Sequence, residues 1–141
     1  MLGRARIAAL IPHQGSMCLL DEIVAWDARD ILCRSRTHLD PDNPLRRAGV
    51  LGMVCGIEYG LQAAALHGAL RGGAAQPRGY LAALREVTIE DGRLDEPALR
   101  TLEVAATLEL NEPVGLIYGF RVASEAGVTL IEGRATIVLT I

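Results

Sequence analysis

A single acidic residue, Glu58, stands in the apolar run "GVLGMVCGIEYGLQAAALHG" from Gly49 to Gly68. On a helix it would share its face with Val54, Leu61, Gln62 and Ala65, and only Gln62 among these is strongly polar. A carboxylate set among apolar groups is suited to general acid chemistry near neutrality. The other reading is that Glu58 caps a loop or pairs with an arginine such as Arg46 or Arg78. A second proton-transfer candidate is His13 in "IPHQGSMCLLDEI", a Pro/Gly loop from which a side chain can reach into a site. Its alternative is a solvated loop histidine. His38, at a strand end in "THLDPDNP", is a reserve. His67 lies nine residues beyond Glu58, hence on the opposite helix face, and reads as a helix-end cation suited to the dipole.

Other chemistries find less support. All 14 cations are arginine, which excludes a Schiff-base or phosphate-loop lysine. Three histidines with no acidic partner at ligand spacing make a poor metal site, and no serine lies in a GxSxG context. The Gly-rich stretches do not follow a strand as nucleotide-binding loops do. A net charge of -3 gives no basic field for nucleic acid. Cys18, Cys33 and Cys55 are scattered singly, which fits reduced, packed thiols of a cytoplasmic protein better than disulfides or zinc ligation. The N-terminus "MLGRARIAALIPHQG" reads as a short helix rather than a signal peptide, and no run is long enough for a membrane span.

The elements that must position Glu58 and His13 follow from periodicity. Two strands are expected in "MCLLDEIVAWD" and "DILCRSRTHL", joined near Asp27 to Asp30, with Ile31, Cys33 and Ser35 on one face of the second. "DPDNPLRRAG" is loop, and Val50 to about Leu70 is the one long helix. After a loop at "GGAAQPR", four strands are expected: "YLAALREVTIE", "TLEVAATLEL", "VGLIYGFRVAS" and "VTLIEGRATIVLTI". Turns fall at Asp91-Gly92, Asn111 to Pro113 and Glu125 to Gly127. The last strand carries Ile131, Gly133, Ala135 and Ile137 on one face. Residues 1–141 thus form one domain of α+β class, with an antiparallel sheet of about five or six strands, in a meander after the helix, wrapped around it. The helix is rich in small residues (Gly49, Gly52, Gly56, Gly60, Ala63, Ala64 and Ala65) that would let strands approach closely. Glycine costs a helix interior about 0.5–1 kcal/mol relative to alanine, so tight packing must compensate. Such a sheet leaves an edge, and pairing edges in a homodimer or a heterodimer with a relative is the usual remedy.

Two stretches resemble a known group. "IPHQGSMCLLDEIVAWD" is similar to the "LPHR-PFLLVDRV" opening, and "GIEYGLQAAALHG" to the "EAMAQ" helix, of the β-hydroxyacyl-acyl-carrier-protein dehydratases of fatty-acid synthesis. The nearer resemblance is to the small dehydratase-like hotdog proteins of aryl polyene and related type II polyketide clusters. They share a "PH-x-x-x-M-x-LLD" opening, an "NPLRR" loop and an "IEY-x-x-Q" helix. Here these are Pro12-His13 through Met17 to Asp21, Asn43 to Arg47, and Ile57-Glu58-Tyr59 with Gln62. One departure stands out. The fatty-acid enzymes carry their catalytic histidine in an "HFPGxPxxPG" loop fourteen residues before the helix glutamate, and that position here is Pro44.

The resemblance implies a hotdog fold and dehydration of a 3-hydroxyacyl thioester, with Glu58 as acid and His13 replacing the missing histidine as base, a pair that related enzymes assemble across the dimer interface. Gln62 would orient Glu58, Val54, Tyr59 and Leu61 would line an acyl tunnel, and amides from Gly49 through Gly52 to Met53 would receive the thioester oxygen. Arg46, Arg47 and Arg78 would form a basic rim for an acidic acyl carrier protein. No metal or nucleotide cofactor is implied, since the phosphopantetheine arm carries the substrate. Two rivals share the fold: an acyl thioesterase in which Glu58 activates water, and a catalytically weak subunit that stabilises an active dehydratase partner.

Overall fold

The period-two segments fold as strands, and their apolar phase turns toward one helix. The computed structural model describes residues 1–11, 17–72 and 79–139. In chain order its elements are β1 (Leu2–Gly3), α1 (Arg4–Leu10), β2 (Glu22–Trp26), β3 (Asp30–Ser35), α2 (Gly56–Gly72), β4 (Gly79–Ile89), β5 (Leu102–Glu112), β6 (Gly115–Ala123) and β7 (Thr129–Leu139). Among the described residues the strands make one seven-stranded sheet in the order β1-β2-β3-β5-β6-β7-β4, every neighbouring pair antiparallel. This is one strand more than the sequence indicated, because the two-residue β1 pairs with β2 ahead of the short helix.

Strands β5, β6 and β7 are a meander as expected, but β4 is not part of it. It lies outside β7, and the long 90–101 connection returns the chain to β5 beside β3. Leu94, fully buried in that connection, donates its N–H to the Leu51 carbonyl at 2.9 Å, so the crossing segment is packed against the approach to α2. The alternations hold residue by residue. Ile31, Cys33 and Ser35 are buried on β3, Leu102, Val104 and Ala106 on β5, and Ile131 and Ala135 on β7. These meet Tyr59, Ala63, Ala64 and Leu66 of α2 in one core.

The helix starts later than the apolar run suggests. Gly49 has φ +76°, Gly52 is extended and bridges to Arg93, and a 3-10 turn at Met53–Cys55 leads into α2. Two of the seven small residues, Gly49 and Gly52, are therefore turn and bridge positions. Gly56 and Gly60 do carry the close approach of sheet to helix. A Cβ on Gly60 would lie 2.6 Å from Cδ2 and 3.0 Å from Cβ of Phe120, whereas one on Gly56 would run chiefly into the mobile Cδ1 end of Ile131.

Gly60→Ala is therefore expected to destabilise by about 1–3 kcal/mol through overpacking, less about 1 kcal/mol of regained helix propensity. Gly56→Ala should cost clearly less, because Ile131 can change rotamer. Urea midpoints of the two variants check the order; a Gly60→Ala protein as stable as Gly56→Ala would contradict it.

The sheet's two ends are unequal. β1 has 2 residues, whereas β4 has 11 and presents Tyr80, Leu81, Leu84 and Ile89 to solvent at 38–52% exposure. A long edge strand with apolar side chains exposed is the kind that another chain covers.

Candidate active site

Glu58 occupies the first turn of α2 rather than its centre, and it is half-buried. The shift follows from the late helix start, and it sets the carboxylate at the positive end of the helix dipole. Val54, in the preceding 3-10 turn, is 57% exposed, and Val50 nearby is 38% exposed, so the approach to Glu58 has apolar surface open to solvent.

Gln62, one helical turn beyond Glu58, does something other than the sequence suggested. It is 1% exposed; its Oε1 accepts from Leu19 N at 2.9 Å and its Nε2 donates to Met17 O at 2.7 Å. Its amide is thus committed to the main chain of residues 17–19. This also explains why the expected Met17–Asp27 strand is ordered as β2 only from Glu22: the Leu19 peptide hydrogen-bonds to side chains, its carbonyl accepting from Ser35 Oγ at 2.5 Å and Thr37 Oγ1 at 2.6 Å. Arg4 of α1 holds the same segment from the other side, donating to Cys18 O at 2.6 Å and Leu20 O at 3.3 Å.

Tyr59 is fully buried, with its hydroxyl hydrogen-bonded to Thr37 Oγ1 at 2.8 Å and to Asn43 Nδ2 at 3.0 Å. Burial pushes its phenol up to about 12. It is a core residue with a polar anchor. Leu61 packs half-buried against the core. Tyr59 and the exposed Val54 therefore do not share one apolar wall. The clefts of about 650 and 430 Å³ lie on the sheet's outer face, lined by charged residues such as Arg34, Glu103 and Glu125 in the first and Glu109, Arg121 and Arg134 in the second.

Of the amides from Gly49 to Met53, that of Val50 is taken by Arg47 O at 3.0 Å. Arg46 is likewise occupied internally. Its guanidinium contacts Asp95 Oδ2 and Gly49 O at 2.8 Å each, Asp40 O at 2.8 Å and His38 O at 3.3 Å, and its side chain is 14% exposed. Arg47 is exposed. His13 and Arg78 lie outside the described residues.

The two other histidines are buried. His67 is a bridge, not a solvated cation: Nε2 meets Asp27 O at 2.8 Å and Nδ1 meets the Tyr118 hydroxyl at 2.7 Å. A carbonyl can only accept, so Nε2 carries the proton and Nδ1 accepts from Tyr118. Burial lowers the pKa of the ring and favours this neutral form. The sequence misjudged it because Asp27 and Tyr118 are distant in the chain. His38, in a 3-10 turn at Thr37–Leu39, is fully buried, and among the described residues neither ring nitrogen has a partner in good hydrogen-bond geometry. Burial lowers its pKa to about 4. A histidine with a folded pKa below its unfolded value binds its proton less well when folded. Its neutral form is thus compatible with full stability above about pH 6.5, and stability is lost as pH falls toward 4. We expect about 3 kcal/mol of acid destabilisation from this residue, visible as a flatter pH dependence of Tm in His38→Phe. Parallel pH curves for the two proteins would contradict it.

The thiols are free. Burial pushes Cys33 up to about 12 and raises Cys55, the direction opposite to nucleophile activation. Among the described residues no group of three His, Cys, Asp or Glu is placed to hold a metal ion, and no helix is long and apolar enough to cross a membrane.

Sequence reasoning missed Ser35, Thr37, Asn43 and Asp95. Ser35 was readable, since it falls in the buried phase of β3 with Ile31 and Cys33. Asp95 pairs locally with Arg93, but its more buried partner Arg46 is 49 residues away and carries no local signal.

An antiparallel sheet wrapped on one long helix, with a carboxylate in the helix's first turn, defines a hotdog-type protein. The ApeP-like family model, described as ApeP dehydratase, matches residues 5–139, and the chain belongs to that family of dehydratases. This is the lyase class and the aryl polyene kinship to which the opening, loop and helix motifs pointed. Among solved structures, the chain is similar to the dehydratase heterocomplex ApeI:P from Xenorhabdus doucetiae, at 18% identity and TM-score 0.81, covering 96% of this chain and 91% of that one. It also resembles a hypothetical thioesterase protein with coenzyme A from Streptococcus pneumoniae TIGR4, at 12% identity and TM-score 0.63 over 84% of each chain. The PaaI protein of the E. coli phenylacetic acid degradation operon is similar at 11% identity and TM-score 0.63, covering 83% of this chain and 81% of that one. The likeness to these structures is one of fold. No curated protein matches the chain significantly.

Proposed function

We propose that this dehydratase removes water from a 3-hydroxyacyl thioester carried on acyl carrier protein, in the cytoplasm, as one subunit of a hotdog pair. The observation that carries the reading is Glu58 in the first turn of α2, within a chain matched by the dehydratase family along nearly its whole length. In the reaction the base takes the proton from C2, the electrons of that C–H bond form the C2=C3 double bond, and the C3–O bond breaks as the acid protonates the departing hydroxyl to water. His13 is the base and Glu58 the acid. Negative charge builds on the thioester oxygen, and the amides of Gly52 and Met53 at the entry to α2 are its donors. The phosphopantetheine arm delivers the substrate, so the chemistry uses no further cofactor. Arg47, exposed beside the helix entrance, offers the acidic carrier protein a cation, with Arg78 as a second candidate.

A second reading shares the chain. The similar complex is a heterocomplex, and here β4 forms an exposed apolar edge while Val50 and Val54 leave the approach to Glu58 open. A partner hotdog subunit pairing along β4 would continue the sheet and close that approach. In its strongest form this partner supplies the catalytic groups and the present chain only stabilises it. Assays of the chain alone and with a co-expressed hotdog partner, using 3-hydroxyacyl thioesters, test both. Enoyl thioester supports dehydration, free acid would replace it with a thioesterase, and activity that survives loss of both His13 and Glu58 would leave only the stabilising role.

A further inference from the structure

The three motif segments of this chain meet in one buried hydrogen-bond chain. Gln62 of α2 holds the Leu19 N–H and the Met17 carbonyl. The carbonyl of Leu19 accepts from Ser35 and Thr37, whose hydroxyls lie 2.9 Å apart. Thr37 Oγ1 continues to the Tyr59 hydroxyl, and Tyr59 to Asn43 Nδ2. Asn43 then fixes its own loop, donating to Thr37 O at 2.9 Å and accepting from Leu45 N at 2.9 Å. Ser35, Asn43, Tyr59 and Gln62 are each at most 5% exposed. The chain touches α2 at two points beside Glu58: Tyr59 adjoins it in sequence, and Gln62 lies four residues on, over the same helix face.

We infer that Gln62 and Tyr59 are positioning residues for the dehydration, tying the main chain of Met17–Leu19 and the Asn43–Arg47 loop to the helix turn that carries Glu58. The inference rests on Glu58 being the acid of the proposed reaction. A side-chain amide matched to one N–H and one C=O of the same segment fixes that segment's height along the helix, which a purely apolar contact would leave free to slide. His13 stands four residues before Met17 in the sequence, next to the clamped segment. A fully satisfied buried network of this kind is stiff, and a half-satisfied one is not.

The test uses the chain with its hotdog partner and a panel of 3-hydroxyacyl thioesters. Gln62→Met keeps the length of the side chain and removes both hydrogen bonds; Tyr59→Phe removes only the hydroxyl. We expect Gln62→Met to lower kcat at least 10-fold with KM changed less than threefold, Tyr59→Phe to lower kcat about threefold to 10-fold, and the double variant to lose less than the product, because both act through one network. Gln62→Glu supplies a second readout if the methionine variant does not fold. A protonated glutamate presents a C=O to Leu19 and an O–H to Met17 in the same geometry, so activity should recover as pH falls, whereas an ionised one cannot donate. Unchanged kcat and pH profile in the folded variants would make Gln62 and Tyr59 structural only and overturn the inference. Failure of the wild-type complex to form enoyl thioester would instead overturn the dehydratase reading, and the positioning role with it.

Discussion

Replacing Glu58 by glutamine lowers kcat for dehydration by about 10²–10⁴-fold, the usual contribution of a positioned acid or base, and leaves the chain folded. Glutamine has the same shape and its half-buried position at the helix start accepts a neutral side chain, but it cannot deliver a proton to the leaving hydroxyl. KM should move little, because in the proposed reaction Glu58 acts on the leaving hydroxyl and not on the acyl chain. His13→Ala is expected to abolish turnover, and the double variant to be no worse than the more severe single one, since the two act on one transition state. The measurement is steady-state formation of the enoyl thioester by the variant, alone and with a co-expressed hotdog protein as in the proposed pair. A Glu58→Gln protein within a few-fold of wild type would end the catalytic claim for this carboxylate and leave the chain as a stabilising subunit.

Much of this fold could be read in the sequence where the signal was local. The alternation of β3 and β7 is a matter of adjacent residues: Ile31, Cys33 and Ser35 are buried as expected, as are Ile131 and Ala135, with Gly133 and Ile137 partly so. Glu58 was conspicuous because nothing else charged stands near it in the chain. What misled was context that only folding supplies. Gly49 and Gly52 look like helix residues by composition, yet Gly49 takes a positive φ and Gly52 pairs with Arg93, so the helix begins at Gly56 rather than Val50. Gln62 was read as a partner of Glu58 because helical spacing places them together, but the main chain of Met17 and Leu19 satisfies both ends of its amide. The place of β4 outside β7 is equally invisible locally, since it rests on the pairing of Gly79–Ile89 with the distant Thr129–Leu139 strand.

Asp95→Ala should be among the most damaging single changes for stability. Its carboxylate, 3% exposed, receives both Arg93 Nε and Nη2, at 2.7 and 2.6 Å, and Arg46 Nη1 at 2.8 Å. The two arginines stand in different loops, so Asp95 joins the β4–β5 connection to the loop that feeds α2. Removing it strands the Arg46 guanidinium, which is 14% exposed, without its counter-ion. Breaking a fully buried pair costs about 3–5 kcal/mol; Arg93 is half exposed and that side is screened, so about 2–4 kcal/mol is expected. The Arg93 guanidinium holds the Asp95 carboxyl well below the usual carboxylate range. The pair's contribution is therefore fully present above about pH 4 and fades only as pH falls below that, a window lower than the one in which His38 acts. Urea unfolding at pH 7 gives the main number, and repeating it below pH 4 should narrow the gap between Asp95→Ala and wild type. Arg46 also holds the carbonyls of His38, Asp40 and Gly49, so the folded variant should lose kcat as well, through a looser entry to the turn that carries Glu58. A loss below about 1 kcal/mol at neutral pH would class the cluster with ordinary surface pairs and remove this link between the loop's charge and the helix it positions.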